Sequence, residues 1–299
     1  LAASGKAAFA VTSAEGALGT LIEAATAALT PTCGPVSVEI PIDLQRAKIT
    51  RPESLETLAL PIRQPPSVDD ATMSKVIATA KSARRPILWL GNGAAAAGPA
   101  ARRLLDMGFA AVTSWNGRAT VPEDHPMSLG ALTINNTVNL PERRIQIDID
   151  PVADHRTYSN DLFVLGEAAD ALTRLADALE TWKPDPWTPD PSFGPEFQRL
   201  KAAARRGFAA TLGPYATFAE QLQSVMPRDA IWVRDVTVNH STWGQRLLQL
   251  GEPTQSIYPV GAGIGQGFSL AVGAALADGR KTICMTGDGG FFLNLGELW

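Results

Sequence analysis

The fold is decided around residues 86–93, which read Pro86-Ile87-Leu88-Trp89-Leu90-Gly91-Asn92-Gly93. A continuous apolar run of this length is typical of a strand that is buried on both faces of a parallel sheet. Residues 94–107 predict the helix that follows the turn, and residues 110–114 predict a second short strand. This alternation of strand, turn, helix and strand predicts a doubly wound α/β fold.

The same alternation continues along the chain in both directions. The other predicted strands are short and rich in β-branched or apolar residues, and they lie at residues 36–40, 145–150, 162–165, 230–235 and 282–286. The other predicted helices lie at residues 1–30, 69–83, 168–179, 217–225, 241–250 and 267–276. Residues 182–195 hold five prolines, and because proline fixes φ and removes a backbone donor, they predict an extended linker between domains.

Composition excludes several classes of protein. The chain has 299 residues and a net charge of −4, with 26 basic and 30 acidic side chains, so no basic surface for nucleic acid is expected. No apolar run reaches the roughly 18 residues that a membrane-spanning helix needs. Residues 1–6 lack the order of charges and apolar residues of a signal peptide. The two cysteines, Cys33 and Cys284, fit a reduced compartment, so a cytoplasmic location is expected.

The strongest candidate site follows the last predicted strand. Residues 286–298 read Thr-Gly-Asp-Gly-Gly-Phe-Phe-Leu-Asn-Leu-Gly-Glu-Leu. Ligands of open α/β sheets bind beyond the carboxyl ends of the strands. Glycines there let the backbone approach a phosphate, and a carboxylate can hold Mg²⁺ between phosphate oxygens. Gly-Asp-Gly by itself is also common in ordinary turns, so these three residues alone leave both interpretations open.

Two further stretches are also candidates for a ligand-binding site. Residues 261–275 read Gly-Ala-Gly-Ile-Gly-Gln-Gly-Phe-Ser-Leu-Ala-Val-Gly-Ala-Ala. The glycines alternate and no strand directly precedes them, unlike in a dinucleotide-binding fingerprint; a glycine-rich entry to a buried helix is the structural alternative. Residues 235–243 read Asp-Val-Thr-Val-Asn-His-Ser-Thr-Trp and follow a predicted strand. Here the alternative is a helix that is capped by Ser241.

Taken together, these stretches resemble the thiamine-diphosphate-dependent 2-oxo-acid enzymes, in particular the large subunits of acetolactate synthases. Residues 34–43, 85–93, 122–126 and 147–151 are also similar to stretches of that family, in the same order. The resemblance implies three doubly wound parallel-sheet domains. It assigns residues 1–45 to the tail of the pyrimidine-binding domain, residues 67–180 to the middle domain, and residues 196–299 to the N-terminal part of the diphosphate-binding domain.

The resemblance also implies roles for individual residues. Asp288 corresponds to the family's Mg²⁺ ligand. Ile264 corresponds to the bulky apolar residue that holds the cofactor in a V-shape, and the carbonyl of Ala262 to the acceptor for the cofactor's amino group. Asn239 and His240 lie in a loop that meets the diphosphate, although the stretch is one residue longer here. The cofactor-binding positions are thus Ala262, Gly263, Ile264, Gly287, Gly289, Gly290, Asn239 and His240.

The chain departs from the family pattern in three places. The family's catalytic glutamate lies upstream of the matched region, so no residue of this chain is expected to be catalytic. The passage through Asn136 and Thr137 to residue 145 is tens of residues shorter than in the family. The second metal ligand of the family would lie beyond Trp299. We therefore expect the sequence to be the ordered part of a longer protein.

The implied activity is thiamine-diphosphate- and Mg²⁺-dependent decarboxylation of a pyruvate-like 2-oxo acid with carboligation, in a homodimer or homotetramer. A simple 2-oxo-acid decarboxylase or an aldehyde lyase of the same family is the alternative, and FAD in the middle domain stays open. Alternatives of other classes are an NAD- or FAD-linked oxidoreductase, from the turn at residues 91–93, and an inactive fragment that binds a cofactor or a subunit.

Overall fold

The computed structural model describes residues 5–131, 142–156, 158–183, 186–259, 261 and 263–298. The strands are β1 (Ala7–Ala10), β2 (Val36–Glu39), β3 (Ile87–Leu90), β4 (Ala110–Thr113), β5 (Ile145–Asp148), β6 (Leu162–Leu165), β7 (Ile231–Arg234), β8 (Ser256–Ile257) and β9 (Thr282–Met285). The α-helices are α1 (Ala17–Leu29), α2 (Ile42–Gln45), α3 (Asp70–Ser82), α4 (Gly98–Asp106), α5 (Ala168–Glu180), α6 (Phe193–Ala210), α7 (Phe218–Val225), α8 (Val238–Ser241), α9 (Trp243–Arg246), α10 (Gln266–Asp278) and α11 (Asp288–Leu293).

The α/β fold class predicted from the sequence is confirmed. Strand β1 pairs with β2, β3 pairs with β4, and β7 pairs with both β8 and β9, and each of these ladders is parallel. Parallel neighbours need a crossover connection, and helices α1, α4 and α10 lie between the paired strands in the chain. Strands β5 and β6 are neighbours in a further sheet.

The chain divides into two compact units. One comprises Leu1–Val68 and Gln146–Glu167, and the other comprises Asp69–Ile145 and Ala168–Trp299. The three-domain division at residues 1–45, 67–180 and 196–299 stays a prediction.

The helix predicted for residues 1–30 was wrong at its beginning. Residues 7–10 form β1, whose partners in β2 run from Val36 to Glu39, and only residues 17–29 form a helix. Alanine favours a helix locally, but pairing with β2 gives the backbone of residues 7–10 its hydrogen bonds instead. The Lys6 ammonium also donates to the carbonyls of Ala27 and Thr30, which ties this strand to the end of α1.

Strand β7 is buried on both faces. The Trp232 side chain packs on one face among Trp243, Leu248 and their neighbours. On the other face, Ile231 and Val233 pack with Ala271 and Ala274 of helix α10. This is the environment that a continuous apolar strand requires, and it places the end of β7 in the interior.

A buried ion pair joins the segment after β4 to the segment around α9. The guanidinium of Arg118 donates to both carboxylate oxygens of Glu123, at 3.0 and 3.1 Å, and the two side chains are 0% and 5% exposed. The backbone N–H of Leu250 donates to the same carboxylate at 2.9 Å. Arg118 donates in addition to the carbonyls of Gly244 and Leu248. Both charges are therefore fully hydrogen-bonded, as buried ions must be.

Helix α6 is attached to the same region by a lysine. The ammonium of Lys201 donates to the backbone carbonyl of Glu123 at 3.0 Å and to that of His125 at 2.7 Å. Burial, together with the like charge of Arg205, lowers the pKa of Lys201 from 10.5 to about 8. The folded protein therefore holds this proton less tightly than the unfolded chain does.

We expect the free energy of unfolding to rise between about pH 8 and pH 10.5 through Lys201. In this window the unfolded chain binds a proton at Lys201 that the folded chain has released, and stability rises with pH wherever the unfolded state binds more protons. Urea unfolding of the wild type and of Lys201→Met at pH 7.5, 9 and 10 measures the effect, and the variant should lose part of the rise. Lys75→Met, on the exposed side of α3, is the control; an unchanged rise in Lys201→Met would contradict the assignment.

Candidate functional site

The sheet β8-β7-β9 brings the ends of two predicted motifs together. In the parallel register, Arg234 of β7 lies opposite Met285 of β9, and the N–H of Asp235 donates to the carbonyl of Met285 at 2.8 Å. The first residues beyond the two strands, Asp235 and Thr286, therefore lie side by side. This is the carboxyl edge of the sheet, where ligands of α/β folds bind.

The side chain of Asp235 connects three loops at this edge. It is 0% exposed, and its carboxylate accepts from the N–H of Gly265 at 3.1 and 3.0 Å, one distance to each oxygen. It also accepts from the N–H of Val236 at 2.7 Å and from the hydroxyl of Thr286 at 3.1 Å. One carboxylate thus holds the loop after β7, the turn before α10 and the loop after β9.

Glycines allow this close approach. A Cβ on Gly267 would lie 2.6 Å from the Cβ of Asp235, and one on Gly290 would lie 2.4 Å from its Oδ2. Gly265 has φ of +93°, which is favourable for glycine and costly for other residues. Both glycine-rich motifs are therefore packed against the same aspartate.

The turn before α10 is held on its other side by Asn294. The amide nitrogen of Asn294 donates to the carbonyl of Gly265 at 2.5 Å. The rings of Phe268 and Phe291 meet edge to face, with centroids 5.2 Å apart. Helices α10 and α11 are therefore fixed to each other next to the site.

The structure brings most of the predicted cofactor-binding positions to this edge. Gly287 caps the start of α11, Asp288 is its exposed first residue, and Gly289 and Gly290 follow. Gly263 and Ile264 directly precede Gly265, which is hydrogen-bonded to Asp235 and Asn294. The Ile264 side chain is 62% exposed.

Ile264 lines an open depression of about 770 Å³ with mainly apolar walls. Gly265, Leu270, Ala274 and Asn294 are among the other residues that line it. A bulky apolar side chain that lines such a depression can contact a bound ligand.

The other three predicted positions are Ala262, Asn239 and His240. Ala262 lies outside the described residues. Asn239 and His240 form part of the short helix α8, just beyond the end of β7. The helix predicted for residues 241–250 is reduced to the four residues of α9.

Sequence reasoning missed the two residues that organise the site. Asp235 was noted only as the first residue of a loop, although a carboxylate directly after a fully buried strand is a usable signal. Asn294 was quoted only as part of residues 286–298. Their importance lies in contacts with Gly265, 30 and 29 residues away in the chain.

Thiamine diphosphate with Mg²⁺ is the group that the sequence implied, and the residues at this edge fit it. The first N–H groups of a helix lack intrahelical partners and suit an anion, and carboxylate oxygens suit Mg²⁺. Within the described part of the chain, no three His, Cys, Asp or Glu side chains converge on a metal position. Mg²⁺ is usually held by one or two carboxylates together with phosphate oxygens. Helices long and apolar enough to cross a membrane are not found among the described residues.

The chain is similar to proteins that are named for thiamine diphosphate or for its use. Residues 237–299 match the family model of the C-terminal TPP-binding domain of thiamine pyrophosphate enzymes. Acetolactate synthase 1 of Zea mays is 25% identical over 313 residues, which cover 89% of this chain and 47% of the relative. The acetolactate synthase isozyme 1 large subunit of Escherichia coli is 25% identical, with 89% and 52% covered. A probable 2-ketoarginine decarboxylase of Pseudomonas aeruginosa is 26% identical, with 88% and 51% covered.

The fold has a counterpart among solved structures. An X-ray structure described as that of a thiamin diphosphate-dependent enzyme from Mycobacterium smegmatis superposes with a TM-score of 0.70 at 22% identity, over 97% of this chain and 61% of that one. The chain spans about half the length of the curated relatives it matches. Over most of its length it is similar to acetolactate synthases, and residues 237–299 match the C-terminal TPP-binding domain of thiamine pyrophosphate enzymes.

Proposed function

We propose that the protein containing this chain carries out thiamine-diphosphate-dependent decarboxylation of a pyruvate-like 2-oxo acid with carboligation. The observation that supports this most is the convergence of the turn before α10 and the loop after β9 on Asp235. Both lie in the stretch that matches the cofactor-binding domain. When bound, thiamine diphosphate supplies the carbanion chemistry that releases CO₂ from a 2-oxo acid.

The proposed role of the residues of this chain is to bind and orient the cofactor. The N–H groups of Asp288, Gly289 and Gly290, at the start of α11, would meet the diphosphate, and the Asp288 carboxylate would hold Mg²⁺ against it. Ile264 would support the cofactor through its exposed apolar side chain. Gly263, Gly287, Asn239, His240 and the carbonyl of Ala262 complete the proposed contacts. We assign proton transfer to none of these residues.

A simple 2-oxo-acid decarboxylase is the second candidate. The identity to the probable 2-ketoarginine decarboxylase, 26%, differs by one percentage point from the 25% identity to acetolactate synthase 1 of Zea mays. Product analysis separates the two, since carboligation gives a 2-hydroxyketone and simple decarboxylation gives a free aldehyde. We also propose that the protein is a homodimer or homotetramer and that it is located in the cytoplasm. Whether it binds FAD is tested by the visible absorption spectrum of the purified protein.

We expect Asp288→Ala to weaken Mg²⁺-dependent binding of thiamine diphosphate by about tenfold or more, because the metal would lose its protein carboxylate. Calorimetric titration of the purified protein with thiamine diphosphate, with and without Mg²⁺, measures this. Asp229→Ala is the matched control, since Asp229 is an exposed aspartate just before the amino end of β7. Equal affinities in the wild type and Asp288→Ala would remove Asp288 from the metal site, and no binding by the wild type would overturn the proposed function.

A further inference from the structure

The carboxylate of Asp235 has no function in the scheme above, yet its environment is unusual. It is fully buried, and it is not ion-paired with any described lysine, arginine or histidine side chain. Burying a carboxylate without a counter-ion is costly unless neutral donors surround it. Here two backbone N–H groups and one hydroxyl fill that role.

The hydrogen bonds to Gly265 fix the orientation of one peptide. The N–H of Gly265 points at the carboxylate, 3.1 and 3.0 Å from its two oxygens, while its carbonyl accepts from Asn294. The residue is thus held from both sides in the left-handed conformation. These hydrogen bonds therefore also position Gly263 and Ile264, which directly precede Gly265.

The same carboxylate fixes the loop after β9. Its Oδ2 accepts from the Thr286 hydroxyl, and Gly290 leaves the space for that oxygen, because a Cβ there would lie 2.4 Å away. Asp288 lies between these two points of attachment in the chain. The proposed metal-binding residue Asp288 and the apolar residue Ile264 are therefore both positioned by the side chain of Asp235.

We propose that Asp235 is a positioning residue of the cofactor site, which holds the turn before α10 and the loop after β9 at the separation that the bound cofactor requires. This rests on the proposed function. Both the charge and the length of the side chain are needed. In either orientation, an asparagine would place its amide nitrogen about 3 Å from the N–H of Gly265, donor against donor. A glutamate has no room next to Gly267 and Gly290.

The test compares Asp235→Asn with a matched variant at the other end of β7. Gln255 is also buried, and its amide group makes four hydrogen bonds, to the carbonyls of Arg228 and Ala230 and from the N–H groups of Gly251 and Glu252. Gln255→Leu therefore removes four hydrogen bonds next to the amino end of β7, whereas the proposed site lies at the carboxyl end. Any effect of lost stability alone would appear in both variants.

The affinity for thiamine diphosphate with Mg²⁺ is measured by calorimetry, and urea unfolding gives the folded fraction of each variant. The inference expects Asp235→Asn to raise Kd by about tenfold or more while Gln255→Leu stays within about twofold of the wild type. A smaller rise in Asp235→Asn, or an equal rise in Gln255→Leu, would overturn it. If the wild type itself does not bind, the proposed function has failed, and this outcome is distinct from a wild type that binds while Asp235→Asn binds equally well.

A second pair of variants covers the case in which Asp235→Asn does not fold. Thr286→Val removes the hydroxyl, which donates to Oδ2 at 3.1 Å and lies 3.2 Å from the carbonyl of Gly287, and Thr286→Ser keeps it. The inference expects Thr286→Val to weaken cofactor binding and Thr286→Ser to restore it. Equal affinities of these two variants would show that the hydrogen bond does not position the loop.

Discussion

The Glu123→Ala variant is expected to lose about 3–5 kcal/mol of its free energy of unfolding, because it breaks a buried ion pair on one side only. The Arg118 guanidinium, which is 0% exposed, would remain in the interior without its counter-ion. The N–H of Leu250 would lose its acceptor as well. A second buried arginine adds to the cost, since burial and the charge of Arg118 lower the pKa of Arg234 to about 9.

Urea unfolding followed by circular dichroism measures this loss. The matched control is Asp124→Ala, which removes the neighbouring acid from an exposed pair with Arg228. Exposed pairs contribute at most about 1 kcal/mol. The double variant Glu123→Leu with Arg118→Leu should lose less than the sum of the single changes, because no charge is left unpaired. A loss in Glu123→Ala no greater than that in Asp124→Ala would contradict the role given to this pair.

The Gly267→Ala variant is expected to be less stable by about 1–3 kcal/mol and to bind the proposed cofactor more weakly. The new Cβ would lie 2.6, 2.8 and 2.9 Å from the Cβ, Cα and N atoms of Asp235. Two of these atoms belong to the backbone of a buried strand end, so helix α10 has to move away from β7. That movement would carry Gly265 away from the carboxylate of Asp235.

The control for this prediction lies in the same helix. Gly273 is exposed, and a Cβ there meets nothing within 4 Å. Gly273→Ala is therefore expected to stabilise the protein by up to about 1 kcal/mol, through helix propensity alone. Thermal or urea unfolding of both variants gives the comparison, and a Gly267→Ala variant as stable as Gly273→Ala would show that the close approach to Asp235 is not required.

The parts of the fold that follow from local pattern could be predicted from the sequence. The apolar runs at β3 and β9 and the apolar segment of α10 are continuous, so their strand or helix character is visible without tertiary information. Strand β1 was missed because its alanines favour a helix and only pairing with β2 makes it a strand. Helix α6 was missed because it begins inside the proline-rich segment and so resembled a linker.

The candidate site also has one part that could be predicted from the sequence and one part that could not. The glycine-rich stretches are contiguous in the chain, and the match to a TPP-binding domain over residues 237–299 agrees with the cofactor that they implied. The individual roles of Asp288, Ile264 and the neighbouring positions stay predictions. The part played by Asp235 could not be predicted, because it depends on hydrogen bonds to Gly265 and Thr286 that exist only after the sheet has formed.

The order of strands in the β8-β7-β9 sheet has a consequence for the synthesis of the protein. The middle strand is made first, and its neighbours begin only at Ser256 and Thr282. Ribosomes add about 5–20 residues per second, so roughly 2–10 seconds separate the appearance of β7 from that of β9. Throughout this interval the nascent chain carries an apolar strand with open edges, a form that is prone to aggregation. The vulnerable stage of this sheet is therefore its time on the ribosome, before β9 has been synthesised.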